Sequence, residues 1–321
     1  MRLSFRTTVT IAVVALASWL MLSSALLAQQ GAPAAGAAAG GRGAQGGARG
    51  GGGLTQATDP RVQNRTYHFA DTNEDLPYCL FVSSKVSKDK KNPLIVSLHG
   101  LGIGPGFMCR GKALDLAEEG GYIFVAPMGY STGGWYGSPV MNLGGGGGRG
   151  AGRGAAPGAA PTAGQAPAAP PASPANLAEL SEKDVLNVLA MMRKEFNVDD
   201  NRTYLMGHSM GGAGTYFLGS KHAKEWAAIA PIAPAAFLMN NNRAEILKGI
   251  KDARLPMFVA QGDIDEAVPV ANTRMWVDTM KELKMDSEYK EYPGLTHGPI
   301  IEGAMPDIFA FFKQHTKSAA K

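Results

Sequence analysis

The chain has 321 residues, of which 42 are Gly and 20 are Pro. Residues 31–53 and 144–176 consist almost wholly of Gly, Ala and Pro, with a few polar residues. Such segments bury too little apolar surface to offset their chain entropy, so we expect both to remain unfolded. Outside these two tracts and the N-terminal leader, about 235 residues remain. This length suits one sizeable domain rather than two.

The formal net charge of +4 reflects 31 Lys and Arg against 27 Asp and Glu. Six of the arginines, but none of the acids, lie in residues 1–53 and 144–176. The rest of the chain therefore carries a slight excess of negative charge. This balance argues against a basic nucleic-acid-binding surface, and we predict no nucleic-acid partner.

Residues 1–28 have the layout of a secretory signal peptide, with two Arg, an apolar run and then small residues. An uncleaved membrane anchor is the alternative, because the run approaches the length of a membrane span. We predict a secreted or periplasmic protein without stable membrane insertion after cleavage, and a linker over residues 29–56. In an exported chain Cys79 and Cys109 could form a disulfide or remain two buried thiols, and the sequence leaves this open.

Residues 57–321 are predicted to form the folded domain, interrupted by a disordered insertion at 144–176. Short apolar runs typical of strands alternate here with amphipathic patterns typical of helices, which predicts an α/β fold with a mainly parallel sheet covered on both faces. Ser181 followed by Asp184 resembles a helix-capping box. Strands are predicted at 65–69, 78–84, 93–100, 122–129, 203–209, 226–234, 255–263 and 287–293. Helices are predicted at 111–120, 180–196, 211–222, 271–285 and 303–316, with a further short helix before residue 255.

The pentapeptide Gly207-His208-Ser209-Met210-Gly211 follows a predicted strand and opens a predicted helix. This context favours a nucleophilic serine on a sharp strand-to-helix turn, with its hydroxyl exposed. Side chains two positions before or after the serine would collide with neighbouring backbone, which explains the glycines. The helix that begins there also directs its positive dipole end towards an oxyanion.

Around this motif the chain resembles the α/β-hydrolases, and in particular the cap-less secreted esterases similar to polyhydroxybutyrate depolymerases and feruloyl or acetylxylan esterases. It also resembles the catalytic domains of prolyl-oligopeptidase-type peptidases. The resemblance covers roughly residues 60–316. It is carried by LHGLG at 98–102, GHSMGG at 207–212, QGDIDEAVP at 261–269 and THG at 296–298.

The resemblance implies a Ser, acid, His order along the chain, which assigns His297 as the catalytic base of Ser209. The family pattern places the acid four positions before the Pro of a Val-Pro pair, which selects Asp265 ahead of Val268-Pro269. Asp263 is the alternative, and the unused aspartate is expected to cap a loop. The oxyanion would be bound by backbone N–H groups of Met210 and, on position alone, Leu101.

His99 and His208 flank these positions, and we interpret both as packing residues with one internal hydrogen bond. Several aromatic or apolar residues follow strand ends, where ligands of open α/β sheets bind. They could form a wall for the acyl group or simply cover the edge of the core. These residues are Phe107, Met108, Tyr130, Trp135 and Tyr136.

Together these patterns predict a serine hydrolase that cleaves carboxylic esters through an acyl-enzyme, without a cofactor and without a metal-ligand spacing. Only about twenty residues separate the strand at 226–234 from the next strand, too few for a lid domain. An open site favours polymer-borne or bulky esters. A peptidase of the prolyl-oligopeptidase type and a non-catalytic binding protein on the same scaffold are the alternatives.

Overall fold

A computed structural model describes residues 55–140 and 173–317. All of them belong to one compact unit. The predicted signal peptide, the linker up to residue 54 and most of the 144–176 insertion lie outside the described residues. Eight strands are present: β1 (Gln63–Phe69), β2 (Glu74–Val82), β3 (Asn92–Leu98), β4 (Ile123–Pro127), β5 (Val198–His208), β6 (Ala228–Ile232), β7 (Met257–Gly262) and β8 (Ser287–Tyr292).

Six α-helices connect and cover these strands. They are α1 (Gly111–Gly120), α2 (Leu177–Glu195), α3 (Met210–Lys221), α4 (Arg243–Asp252), α5 (Val270–Glu282) and α6 (Ile300–Gln314). Short 3₁₀ turns lie between several of them, including one at Ala236–Asn242. This turn and α4 fill the connection from β6 to β7, so a lid domain is absent from that described connection.

The strands form one sheet in the order β1-β2-β4-β3-β5-β6-β7-β8. The first two pairs, β1 with β2 and β2 with β4, are antiparallel, and all later pairs are parallel. The predicted α/β fold with a mainly parallel sheet is confirmed. Because β3, β5, β6 and β7 run in one direction, their carboxyl ends meet at one edge of the sheet.

Helices cover both faces, which explains why side chains on both sides of the central strands are buried. Every residue of β3 is buried. One face packs against apolar side chains of α2, α3, α4 and α5, and the other packs against α1 and α6. None of the helices within residues 55–140 and 173–317 is both long enough and apolar enough to span a bilayer.

The predicted capping box at Ser181 and Asp184 is wrong, because α2 begins earlier, at Leu177, and both residues lie inside the helix. Both side chains are buried and hydrogen-bond to other elements instead. Ser181 Oγ donates to the carbonyl of Gly129 at 2.6 Å. Asp184 accepts hydrogen bonds from the hydroxyl of Tyr67 and from the backbone N–H of Tyr130. The two polar residues that the sequence pattern placed at a helix start therefore connect α2 to β1 and to the loop after β4.

Cys79 and Cys109 form a disulfide across 30 residues of sequence, which answers the question that the sequence left open. Cys79 lies in β2, and Cys109 lies two positions before the start of α1. Both residues are fully buried. The bridge therefore fixes the loop between β3 and α1 to the sheet.

Candidate active site

Ser209 stands between the end of β5 and the start of α3, in a backbone conformation with φ of 60° and ψ of −115°. A positive φ is unfavourable for a residue with a side chain, at a cost of about 1–3 kcal/mol. Hydrogen bonds to the end of β6 hold the turn. The N–H of Ser209 donates to Ile232 at 2.9 Å, and its carbonyl accepts from Ala235 at 3.0 Å. The strand-to-helix turn predicted for the pentapeptide is therefore present.

The glycines of this turn occupy positions where no side chain fits, as the sequence predicts. A Cβ at Gly207 would lie 2.3 Å from the carbonyl oxygen of Gly211. One at Gly211 would lie 2.2 Å from the carbonyl oxygen of Leu98, at the end of β3. The absence of side chains lets β3, β5 and α3 approach closely enough to present the serine between them.

The structure brings Ser209, His297 and Asp265 together in one hydrogen-bonded line. His297 Nε2 lies 2.9 Å from Ser209 Oγ, and His297 Nδ1 lies 2.7 Å from Asp265 Oδ2. An ionised carboxylate can only accept, so Nδ1 carries the proton and Nε2 accepts from the serine hydroxyl. This arrangement can remove the hydroxyl proton while the serine oxygen attacks an electrophile.

Asp265 is buried, and its side chain is held in place from several directions. Its Oδ1 accepts hydrogen bonds from the backbone N–H groups of Ala267 and Val268 at 2.9 and 2.8 Å. Burial alone would raise the pKa of Asp265, but the hydrogen bonds from His297 and from these two amides outweigh it and hold the pKa below its usual range. The carboxyl is therefore ionised around neutral pH.

Gln261 supports Asp265, and the sequence analysis did not identify it. Its Nε2 lies 3.2 Å from Asp265 Oδ2, and its Oε1 accepts from Thr273 Oγ1 at 2.7 Å. Gln261 is fully buried near the end of β7. The one available signal was a polar residue at the end of an otherwise apolar strand.

Asp263, the alternative acid, lies elsewhere. Its Oδ1 accepts from the backbone N–H of Gly294 at 2.7 Å. This bond braces the loop that leads to His297. The structure thus gives Asp263 the loop-capping contact expected of the unused aspartate, and it gives the imidazole contact to Asp265.

The positions predicted for the oxyanion donors lie on either side of the serine. Met210 is the first residue of α3, so its N–H has no carbonyl one turn earlier within that helix. Leu101 follows Gly100, at which a Cβ would lie only 3.4 Å from Ser209 Cβ. The loop after β3 therefore passes directly beside the nucleophile position. The donor roles of Leu101 and Met210 stay predictions.

His208 connects the turn at Ser209 to the loop that carries His297. Its Nε2 donates to the carbonyl of His297 at 2.8 Å, and the two rings lie 4.4 Å apart. Burial, and secondarily the proximity of His297, lower the pKa of His208 to about 3, so the ring is neutral. Its Nδ1 is buried without a hydrogen-bond partner in the described part of the chain. The single internal hydrogen bond predicted for His208 is confirmed.

His99 is also buried, and both of its ring nitrogens face backbone carbonyls, so the neutral ring donates to one of the two. Nδ1 lies 2.9 Å from the carbonyl of Gly100, and Nε2 lies 2.8 Å from that of Met128. Burial lowers the pKa of His99. These contacts fix the start of the loop that passes beside Ser209.

Two of the five aromatic or apolar residues that follow strand ends lie in the core, so of the two alternatives they take coverage of the core and do not form a wall for the acyl group. Tyr136 is completely buried, and its hydroxyl donates to the carbonyl of His99 at 3.1 Å. Met108 is buried as well. The hydrophobic pattern of the sequence could not distinguish a side chain that lines the site from one that packs in the core beneath the site.

The other three of these five residues are partly exposed. Phe107 lies 6.3 Å from the ring of His208. Trp135 follows Gly134 and packs partly against the core. Tyr130 contacts the first strands instead, because its hydroxyl donates to Glu74 at 3.0 Å. Of these three residues, Phe107 lies beside the ring of His208.

Across residues 55–140 and 173–317, no cluster of three or more His, Cys, Asp or Glu could hold a metal ion.

Three features together define the architecture. They are the eight-stranded sheet, the turn at Ser209, and the order of Ser209, Asp265 and His297 along the chain. The chain has the α/β-hydrolase fold. Solved structures match it over 79–80% of its length. An S-formylglutathione hydrolase from Agrobacterium tumefaciens is 14% identical, covers 80% of this chain and 95% of its own, and gives a TM-score of 0.58.

Two esterase structures match this chain similarly. A thermostable esterase is 23% identical with a TM-score of 0.53 and covers 80% of this chain, which spans 64% of that structure. A ferulic acid esterase is 16% identical with a TM-score of 0.59, over 79% of this chain and 98% of its own. No family model and no curated protein matches the sequence.

Proposed function

We propose that this chain is an exported serine hydrolase that cleaves carboxylic esters through an acyl-enzyme, without a cofactor. The observation that carries the proposal is the line of hydrogen bonds from Ser209 Oγ through His297 to Asp265, with heavy-atom distances of 2.9 and 2.7 Å. Esterase structures with the same fold support the ester as substrate class.

Each residue has a separate task in the proposed reaction. Ser209 Oγ attacks the ester carbonyl while His297 Nε2 takes its proton. Asp265 holds the Nδ1–H tautomer and stabilises the imidazolium. The backbone N–H groups of Met210 and Leu101 bind the oxyanion. His297 then passes the proton to the leaving alcohol, and water activated by the same imidazole releases the acid.

Bulky or polymer-borne esters are the proposed substrates, because exposed apolar side chains lie on the loops that flank Ser209 in the described part of the chain. The most exposed large hydrophobic residues of the described chain include Leu101 at 59% and Ile264 at 53%. Leu101 adjoins the Ser209 turn through Gly100, and Ile264 precedes Asp265. Apolar side chains at a rim of this kind can lie against a substrate too large to enter a pocket.

Export is proposed from the leader at residues 1–28, and the buried disulfide between Cys79 and Cys109 supports it. Disulfides of this kind persist in oxidising compartments. Fractionation of cells that produce the full chain, followed by intact mass of the mature protein, tests the proposal. A chain that stays in the cytoplasm with its leader intact would contradict it.

The catalytic proposal is tested by labelling with a fluorophosphonate, which reacts with activated serines. We expect stoichiometric labelling of the wild type and none of Ser209→Ala. Absence of labelling in the wild type would favour a binding protein over an enzyme.

Substrate class is tested with the purified protein on acyl esters of increasing length, a feruloyl ester, acetylated xylan, a polyester film and proline-containing peptide amides. Ester turnover without amide turnover is expected, with no abrupt rate increase at a lipid–water interface. Preferential amide cleavage would instead identify a peptidase of the prolyl-oligopeptidase type.

A further inference from the structure

Among the described residues, Arg110 is a cation close to His208 that has no ion-pair partner. The guanidinium of Arg110 lies 3.9 Å from the ring centre of Phe107, at the entrance to α1. Within the described residues it forms no salt bridge, whereas five other arginines pair with carboxylates at 3.0 Å or less. Those five are Arg61, Arg65, Arg193, Arg202 and Arg274.

Stacking fixes Arg110 in position without cancelling its charge. A cation over an aromatic face is attracted by the ring quadrupole, and the charge itself remains available to an anion. Glu302 packs against the next residue, but its carboxylate accepts from the backbone N–H of Lys112 at 3.0 Å. Arg110 is also partly exposed, so a ligand can reach it.

Arg110 is connected to the candidate base through a row of rings. The ring of Phe107 lies 6.3 Å from that of His208, which in turn lies 4.4 Å from the ring of His297. The positive charge of Arg110 is close enough to His208 to contribute to the lowered pKa of that ring. The rings of Phe107 and His208 therefore link Arg110 to His297.

In the proposed reaction the leaving group lies beside His297, because His297 has to deliver its proton to the departing alcohol. We propose that Arg110, held on the ring of Phe107, binds a carboxylate carried by the alcohol part of the ester. This inference rests on the proposed esterase function and narrows its substrate class to acid-bearing esters. A planar guanidinium binds a carboxylate through two parallel hydrogen bonds, which would orient the alcohol for departure.

The test uses two matched ester pairs. In the first pair, para-(butanoyloxy)benzoate and its methyl ester, the carboxylate lies on the alcohol part. In the second, p-nitrophenyl hemisuccinate and its methyl ester, it lies on the acyl part. For each pair the measured quantity is the ratio of kcat/KM for the anionic member to that for the neutral member. Comparing this ratio between variants cancels the different intrinsic reactivities of the two esters.

We expect Arg110→Gln to lower the ratio of the first pair about ten-fold, through a higher KM for the anionic ester. Arg110→Lys should restore part of the preference, and added salt should weaken it in the wild type. Arg254→Gln is the control, because Arg254 also has no ion pair in the described chain and precedes β7, at the opposite edge of the sheet. It should leave both ratios unchanged.

An unchanged ratio in Arg110→Gln would overturn the inference while leaving the esterase proposal intact. An Arg110-dependent change confined to the second pair would overturn the assignment to the alcohol part. Failure of the wild type to hydrolyse any of the four esters would count against the proposed function itself, and the inference would fall with it.

Discussion

At the scale of single residues, the geometry distinguishes two aspartates that stand two positions apart after β7. Asp265 accepts from the imidazole of His297 and from two backbone amides, whereas Asp263 accepts from the backbone of Gly294. The difference follows from the turn at the end of β7. There the chain directs the carboxylate of Asp265 towards the imidazole of His297, and that of Asp263 towards the loop that carries His297.

We expect Asp265→Asn to lower kcat for a simple ester by about three to four orders of magnitude, because an amide cannot hold the Nδ1–H tautomer of His297 or stabilise the imidazolium. The fold should persist, since the amide oxygen can still accept from Ala267 and Val268. Steady-state kinetics with a thermal melt measure both effects. Asp263→Asn is the matched control, and an equally large kcat loss there would show that the acid has been assigned wrongly.

At the scale of elements, the turn between β5 and α3 depends on backbones that almost touch. A Cβ at Gly211 would lie 2.2 Å from the carbonyl oxygen of Leu98, which belongs to the buried strand β3 and cannot move aside. Close contact of three elements is the condition for presenting Ser209 at the sheet edge.

Gly211→Ala should therefore destabilise the protein by at least about 3 kcal/mol or prevent soluble expression, because it forces β3 and α3 apart. Gly298→Ala is the control, since no heavy atom lies within 4 Å of the position its Cβ would occupy. We expect it to stay within about 0.5 kcal/mol of the wild type. Denaturant unfolding compares them, and equal stability of the two variants would contradict the packing argument.

The disulfide acts on the loop between β3 and α1, which carries both Leu101 and Arg110. Replacing Cys79 and Cys109 together by Ser should lower the free energy of unfolding by about 2–4 kcal/mol, because the unfolded chain regains the entropy of a 30-residue loop. Thermal unfolding of wild type and variant, each with and without reductant, checks this. A reductant effect that persists in the double variant would mean that the bridge is not its cause.

At the scale of the whole molecule, one buried carboxylate connects the first strands, α2 and the loop after β4. Asp184 is fully buried and accepts from Tyr67 and from the backbone of Tyr130. Burial raises the pKa of Asp184 to about 6, despite these hydrogen bonds, from an ordinary value of 3.8. The neutral acid is thus favoured more in the folded protein than in the unfolded chain.

A raised folded pKa gives stability that is fully present below about pH 4 and is lost as the pH rises through about 6. A shift of this size corresponds to about 2–3 kcal/mol. Asp184→Asn does not titrate, so its free energy of unfolding minus that of the wild type should increase by this amount between pH 4 and pH 7.5. Urea unfolding at the two pH values measures it. A difference independent of pH would refute the role of Asp184.

The eight strands and the alternation of strands and helices were predictable, because buried parallel strands are marked by continuous apolar runs. The Ser209 turn was predictable because its glycines are required by local contact. The start of α2 was mispredicted, and the choice between site and core for Tyr136 and Met108 stayed open, for a common reason. Aromatic and polar side chains have the same local pattern whether they line a surface or pack under it, and only neighbours distant in sequence separate the two cases.

The amino-acid sequence by itself determined the fold class and the position of the serine turn, since periodicity and steric exclusion act between residues close along the chain. Only the tertiary structure decided which aspartate contacts His297, that the two cysteines pair, and that Arg110 is stacked on Phe107 with no carboxylate partner among the described residues. Each of these depends on distances between loops that follow different strands, and the packing of the sheet and helices sets those distances.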